Sequence, residues 1–447
     1  MFARGLVLLA ASNVPLALST AGHPSLGGYT PASNVVEHAQ MVFDVMDITA
    51  QVTAEDMTTA GTIYSDGRYS CKSTTSARTF KGFVEQATVD SKLEGEAFYD
   101  SFTGGAGPSA DLGAIPGAHR LNLAHAFYDT HMEDALAGTG VFASSTLAMR
   151  KMFIKKGILG VLTMYTTHEL ESAISKANDN NTDDASGAPH AWDEGWAFYY
   201  GSHPEAGKYS AWEFAYKRDW DFTQDSSGNT ITEATMASDE ILHHFIHGLK
   251  ASREGNVADM ITARNNIYRL LALTSIRAAL KYAYQAQYGS EGGYSEDYHM
   301  EGWAYLLAGA GWIEQAMNGT ASVALEHLAF TKAENELAAD LYCTVQAALI
   351  PAYEPLGLDC DKVGTWKDLP SSVQCSNLPA CPTTPALPQG LASYDFTTDT
   401  TPGSNVDCGY TYPYTTTTAG GGNTETTSVA VSQSLSAIAL IAMFLGH

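Results

Sequence analysis

The chain has 447 residues, enough for one large domain or two of ordinary size. Its 49 acidic residues against 24 basic ones leave a net charge of −25, which excludes nucleic acid as a partner, since phosphate binding needs a basic footprint. The same excess suits a soluble protein that attracts cations.

The first residues read as an address. Met1 to Arg4 lead into an apolar stretch, Gly5 to Leu18, followed by the small residues Ser19, Thr20 and Ala21, so residues 1–21 are expected to be a secretory signal peptide. Six cysteines, Cys71, Cys343, Cys360, Cys375, Cys381 and Cys408, are an even number and suit disulfides in an oxidising compartment. Sequons at Asn180 and Asn318 are acceptor sites for glycans on an exported chain.

Helical spacing of apolar residues then dominates. It predicts helices over Val35 to Met46, Leu121 to Leu136, Leu147 to Leu162, His168 to Ala177, Ile241 to Lys250, Asn256 to Tyr284, Glu301 to Met317 and Ala324 to Leu349. Alternating strand patterns are missing, and residues 61–80 read as loop, so the expected class is all-α over residues 22–350. Two stretches, about 117–222 and 239–320, lie over one another as duplicated helical units, with Arg150 and Arg264 at matching places. Past Pro351 the chain turns rich in proline, cysteine and threonine, and residues 351–422 read as a stapled stalk. Small residues from Ala419 to Asn423, a polar spacer and an apolar stretch from Val429 to Leu445 give residues 423–447 the form of a GPI-attachment signal.

One block occurs in both units. The first copy runs His190-Ala-Trp-Asp193-Glu194-Gly195-Trp196-Ala197-Phe198, the second Asp297-Tyr-His299-Met-Glu301-Gly302-Trp303-Ala304-Tyr305. Positions i and i+4 share a helix face, so His190 with Glu194, and Asp297 with Glu301, each aim two ligand groups at one spot. Packed about a pseudo-twofold axis, the copies would bring four O and N ligands together, as helical bundles do at metal sites. His299 is a further candidate and Asp193 a reserve, turned about a hundred degrees from Glu194 on the helix. The bland alternative is capping, since Pro189 suits a first turn and Ser295 an N-cap. Against it stands a glycine inside each helix, costing about 1 kcal/mol relative to alanine, which suggests close helix crossing walled by Trp196 and Trp303.

Carboxylates and imidazoles without thiolate suit iron, manganese or zinc, and phenolate oxygen favours ferric iron; the nearby Tyr199, Tyr200, Tyr294, Tyr298 and Tyr305 read as a packing face or as candidates for the layer behind the ligands. The run from His168 to Glu171 reads equally well as a polar helix start, and His243 with His247 lacks a third ligand. Hydrolytic classes lack their signatures: there is no His-Glu-x-x-His helix and no Gly-x-Ser-x-Gly elbow.

The paired blocks, His190–Tyr200 and His299–Tyr305, on an exported acidic helical chain with an anchor-like tail, resemble the algal Fe-assimilation proteins over roughly residues 30–350. The resemblance implies a cell-surface or periplasmic protein, induced by low iron or high carbon dioxide, that helps capture iron. The ligands Glu194, Glu301, His190, Asp297 and His299 are inferred from the repeat, and Asp297 in the place of His190 breaks its symmetry. On this reading the chain passes iron to a membrane transporter or reductase while held at the membrane by a lipid anchor. Arg150 and Arg264 are candidates to hold a carbonate beside the metal. Two other classes fit the sequence: a metal-dependent enzyme acting on carbon dioxide or bicarbonate, and a structural or adhesive surface protein.

Overall fold

A computed structural model describes residues 26–104, 121, 123–202, 209–222, 236–289 and 292–382. The expected leader, most of the stalk and the hydrophobic tail lie outside the described residues. By internal packing the chain divides into Met1–Tyr410 and a second unit, Thr411–His447, which lies wholly outside them.

The all-α expectation holds. The chain enters through α1 (Val36–Ala39), α2 (Met41–Thr53) and α3 (Met57–Asp66). A two-stranded antiparallel hairpin, β1 (Cys71–Ser73) and β2 (Ser76–Ala77), follows. Residues 61–80, expected as loop, therefore divide between the end of α3, capped at its start by the Asp56 carboxylate on the Thr59 amide, and this hairpin. Next come the short helices α4 (Phe80–Val84), α5 (Gln86–Lys92) and α6 (Ala97–Thr103), too brief to show periodicity, and α7 (Phe127–Ala137).

α8 (Leu147–Asn178) runs unbroken where two shorter helices were expected. The polar stretch between them stays helical because Thr163 and Thr167 return their hydroxyl protons to the Leu159 and Thr163 carbonyls, at 2.8 and 3.0 Å. α9 (Ala188–Tyr200), α10 (Ala211–Phe222), α11 (Ala237–Glu254), α12 (Val257–Tyr288) and α13 (Glu296–Ala316) complete the body. α8 and α12 are each 32 residues long, and each is followed by a shorter helix that carries one copy of the block. The capping expectations also hold, with Pro189 in the first turn of α9 and the Ser295 hydroxyl accepting from the Tyr298 amide at the head of α13.

The helix expected from Ala324 to Leu349 is two, α14 (Thr320–His327) and α15 (Leu341–Leu349). Between them Glu334, Glu336 and Asp340 offer no apolar face to bury, and Glu336 folds back to accept from the Ala333 amide at 2.7 Å. A last turn, α16 (Cys360–Val363), lies in the stalk region. That region is packed as well as stapled: disulfides join Cys343 to Cys375 and Cys360 to Cys381, while Tyr353, Leu358 and Val363 are buried in the common core. Cys71 is disulfide-bonded too.

α13 packs against both α8 and α12, α9 lies along α8, and α11 bridges α9 and α12. The joint between α10, α11 and α12 is electrostatic. Asp219 accepts from the Ala237 and Ser238 amides at the start of α11 and takes Arg277 of α12 at 2.7 Å, both side chains essentially unexposed. Arg277 also donates to the Val363 and Lys362 carbonyls, fastening the stalk region to the bundle. Among the described residues no helix is long and apolar enough to cross a membrane.

Candidate metal centre

The two blocks have separate surroundings. In the first, His190 and Glu194 of α9 meet a histidine the sequence reading passed over, His38 of α1. His38 Nε2 lies 2.7 Å from Glu194 Oε1, and His190 Nε2 lies 3.2 Å from the same oxygen. Glu169 of α8 is buried close enough to Glu194 for the two carboxyls to act on each other electrostatically. The run from His168 to Glu171 is thus no helix start but the buried middle of α8, Glu169 being 6% exposed.

Burial raises Glu169 far above the usual carboxylate range, and the charge of Glu194 pushes it the same way. Burial acts on Glu194 likewise, but hydrogen bonds from His190 and His38 outweigh it and hold that carboxyl below its ordinary range. The pair therefore divides its protons, Glu169 holding one and Glu194 ionised. His38 is lowered by burial, with Glu194 opposing. Its Nδ1 is buried without a hydrogen bond, and its Nε2 faces both the Arg78 guanidinium, a donor, and the Glu194 carboxylate, an acceptor.

A second layer fixes the His190 ring. Asp193, completely buried, accepts from the Tyr29 hydroxyl at 2.6 Å, the Ser33 amide at 2.8 Å and the Ser33 hydroxyl at 2.9 Å. Burial lifts its pKa to about 6, so near neutral pH it is still mostly the acceptor. The Ser33 proton is then committed to Asp193, and Ser33 Oγ, 2.8 Å from His190 Nδ1, must accept from that nitrogen. With its proton on Nδ1, a neutral His190 turns the lone pair of Nε2 toward the Glu194 carboxylate. Two electron-rich atoms facing each other at 3.2 Å require a positive charge, either a second proton on the ring or a cation between them. Asp193, the reserve ligand of the sequence reading, is instead the group that orients one.

The second block is spoken for by bases. Glu301 of α13 lies 3.3 Å from Lys156 of α8, and Asp297 is raised by burial and by Glu301, against the pull of Lys155. His299 is fully buried, bonded through Nδ1 to the Tyr294 hydroxyl at 2.9 Å, and lowered by burial to about 4. The partners of Glu194 and those of Glu301 share no residue, so the expected four-ligand convergence of the two copies is replaced by two distinct environments. Trp196 and Trp303 likewise face different neighbours, Tyr29 and Phe245 for the first, Phe330 and His131 for the second. Arg150 donates to the Ala135 and Leu136 carbonyls at the end of α7, and Arg264 grips both oxygens of Glu171 at 2.8 Å; neither reaches a block.

Among the described residues no three His, Cys, Asp or Glu side chains stand as a ready-made metal site. The first block is a cluster of two imidazoles and two carboxylates, its side chains 8% (His38), 22% (His190) and 16% (Glu194) exposed, so solvent reaches it. Fold and cluster together define a helical-bundle protein with an acid–imidazole centre between its helices.

The comparisons specify this further. Residues 4–384 match the Fea1 family, described as low iron-inducible periplasmic protein, and the chain belongs to that family. The match extends past residue 350 into the stapled region, farther than the resemblance drawn from the blocks. No curated protein matches the chain, and no solved structure does.

Proposed function

We propose that the protein captures iron in the periplasmic or cell-surface space, with His38, His190, Glu194 and Glu169 as the coordinating groups. The observation that carries this is the placement of His190 Nε2 and His38 Nε2 on one and the same oxygen of Glu194, with Ser33 Oγ behind His190 Nδ1. An incoming cation would sit among these groups, displace the proton of Glu169 and lift the conflict at His38 Nε2. Binding then releases protons and weakens as pH falls.

Two imidazoles and two carboxylates suit ferrous iron, with zinc and manganese as competitors. The tyrosines near the blocks stand elsewhere: Tyr199 and Tyr200 pack around Trp196, and Tyr305 lines a separate basic cavity. Export by the leader, glycosylation at Asn180 and Asn318, retention by a GPI anchor and delivery to a membrane transporter or reductase complete the proposal.

The test is metal retention. The purified mature protein is equilibrated anaerobically with ferrous iron, and separately with ferric iron, zinc and manganese, then desalted and assayed. The expected result is close to one ferrous iron per chain, lost in Glu194→Gln and in His38→Ala while circular dichroism is unchanged. Equal iron retention by both variants would overturn the assignment, and retention of zinc alone would replace iron capture by a zinc function.

A further inference from the structure

The second block borders a cavity of about 270 Å³ that the iron reading leaves unused. It opens between α2, α8, α10, α12 and α13, and among the described residues every charged side chain lining it is basic: Lys155, Lys156, Lys217 and Arg218. The rings of Tyr282 and Tyr305 line it too, with Arg218 over the first and Lys156 over the second. In a chain with twice as many acids as bases, four cations around one cavity need a reason.

Carboxylates stand behind the lining without reaching the cavity. Glu301 holds Lys156 at 3.3 Å, Glu213 holds Lys217 at 3.4 Å, and Asp297 faces Lys155. Asp221 is shared between Arg218 and Lys281, at 2.8 and 2.9 Å. Arg218 is the least satisfied of the set. It is 5% exposed, lies over the Phe214 and Tyr282 rings, and uses Nη2 on Asp221, while its Nε and Nη1 make no hydrogen bond. A buried guanidinium with two donors unused within the protein has them to offer a ligand.

We propose that this cavity binds a small oxygen-rich anion carrying two or more negative charges, a polycarboxylate or a phosphate, with Arg218 as its buried anchor and Lys155, Lys156 and Lys217 around it. The ligand arrives either free or as the carboxylate shell of a chelated metal ion. The volume exceeds what a single carbonate fills. The two copies of the block thus differ: beside His38 and His190 its glutamate belongs to the proposed iron centre, whereas with Lys156 it helps hold the rim of an anion site. The inference does not depend on the iron centre, because it rests on other residues and is read without iron.

Isothermal titration of the mature protein at low salt, with citrate, inorganic phosphate, bicarbonate and ferric citrate as separate probes, tests it. Saturable binding of citrate or phosphate is expected, weakened at least about tenfold in the Lys156→Gln plus Lys217→Gln variant and by added salt. Glu194→Gln should leave it intact, which separates this site from the iron centre. Binding of ferric citrate without citrate would support the same site and identify the chelate as the source. Arg218→Gln tests the anchor, with a thermal melt to show that it folds; the lysine pair, nearer the surface, supplies the answer if it does not. No saturable binding to folded wild-type protein, binding confined to bicarbonate, or binding indifferent to the lysine pair would overturn the proposal.

Discussion

Ser33 illustrates how a single residue sets the chemistry of the centre. Its hydroxyl donates to Asp193 and is left to accept from His190 Nδ1, which holds the ring with Nε2 toward Glu194. Replacing it by alanine removes that tautomer control without opening a large cavity. Ser33→Ala is expected to lower iron affinity about 10- to 100-fold, as loss of a partner behind a metal-bound histidine commonly does. A competition titration against a coloured chelator measures this; unchanged affinity would mean that Ser33 serves only to hold the chain entry. His190 and Glu194 were legible in the sequence because helical spacing pairs them. His38 was not, since it sits in an apolar-periodic stretch and nothing local links it to a partner more than 150 positions away.

At the scale of elements, the glycines in the helices separate into two kinds. A glycine inside each copy of the block predicts close helix approach at Gly195 and Gly302. A Cβ on Gly195 would meet Leu170 and the Thr166 carbonyl at 3.5 Å, ordinary contact, while on Gly302 it would meet Tyr282 at 3.2 Å, a tighter fit. The closer approach is at Gly248 of α11, where a Cβ would run into the Trp192 ring. That tryptophan is fully buried and donates its indole proton to the Phe245 carbonyl at 2.8 Å, so it cannot swing aside cheaply. Gly248→Ala is therefore expected to destabilise the protein by about 1–3 kcal/mol through overpacking. Gly195→Ala should be neutral or stabilising by up to about 1 kcal/mol through helix propensity. Urea unfolding of the two variants beside wild type distinguishes them, and a reversed order would show that α9 and α11 pack differently.

The whole molecule carries an unusual load of buried titratable groups. Burial raises Asp44 to about 8 and Asp193 to about 6, and it raises Asp219 as well. An acid with a raised folded pKa binds its proton more tightly in the folded state, so its contribution weakens as pH climbs from the unfolded value near 4 toward the folded one. Buried histidines act in the other direction: His168 and His299, lowered by burial to about 4, and His244, to about 3, cost stability as pH drops below about 6.5. Above that point only the carboxylate effect remains, joined by the self-repulsion of a chain with charge −25. The melting temperature is expected to peak near pH 6 and fall toward pH 8. Asp44→Asn should flatten the alkaline limb, because the amide can receive the Arg68 and Tyr69 amides without ionising. A melting temperature that rises from pH 6 to pH 8 would contradict this account.

Local pattern alone determined the helical class, the caps at Pro189 and Ser295, the pairing of His190 with Glu194 and the family likeness carried by the repeated block, since each depends on residues within a turn or two of one another. Tertiary structure decided what each copy of the block faces. The same Glu-Gly-Trp-Ala sequence lies beside His38 and Glu169 in one place and beside Lys156 in the other. A glutamate's charge state and partners come from whatever packs across from it, and the residues that do so here stand on helices distant in the chain. Arg150 and Arg264 show the same dependence in reverse: they occupy matching places in sequence, yet one caps the end of α7 and the other clamps Glu171. Arg218, which drew no notice in sequence, stands with two unused donors at a cavity because five helices happen to meet there.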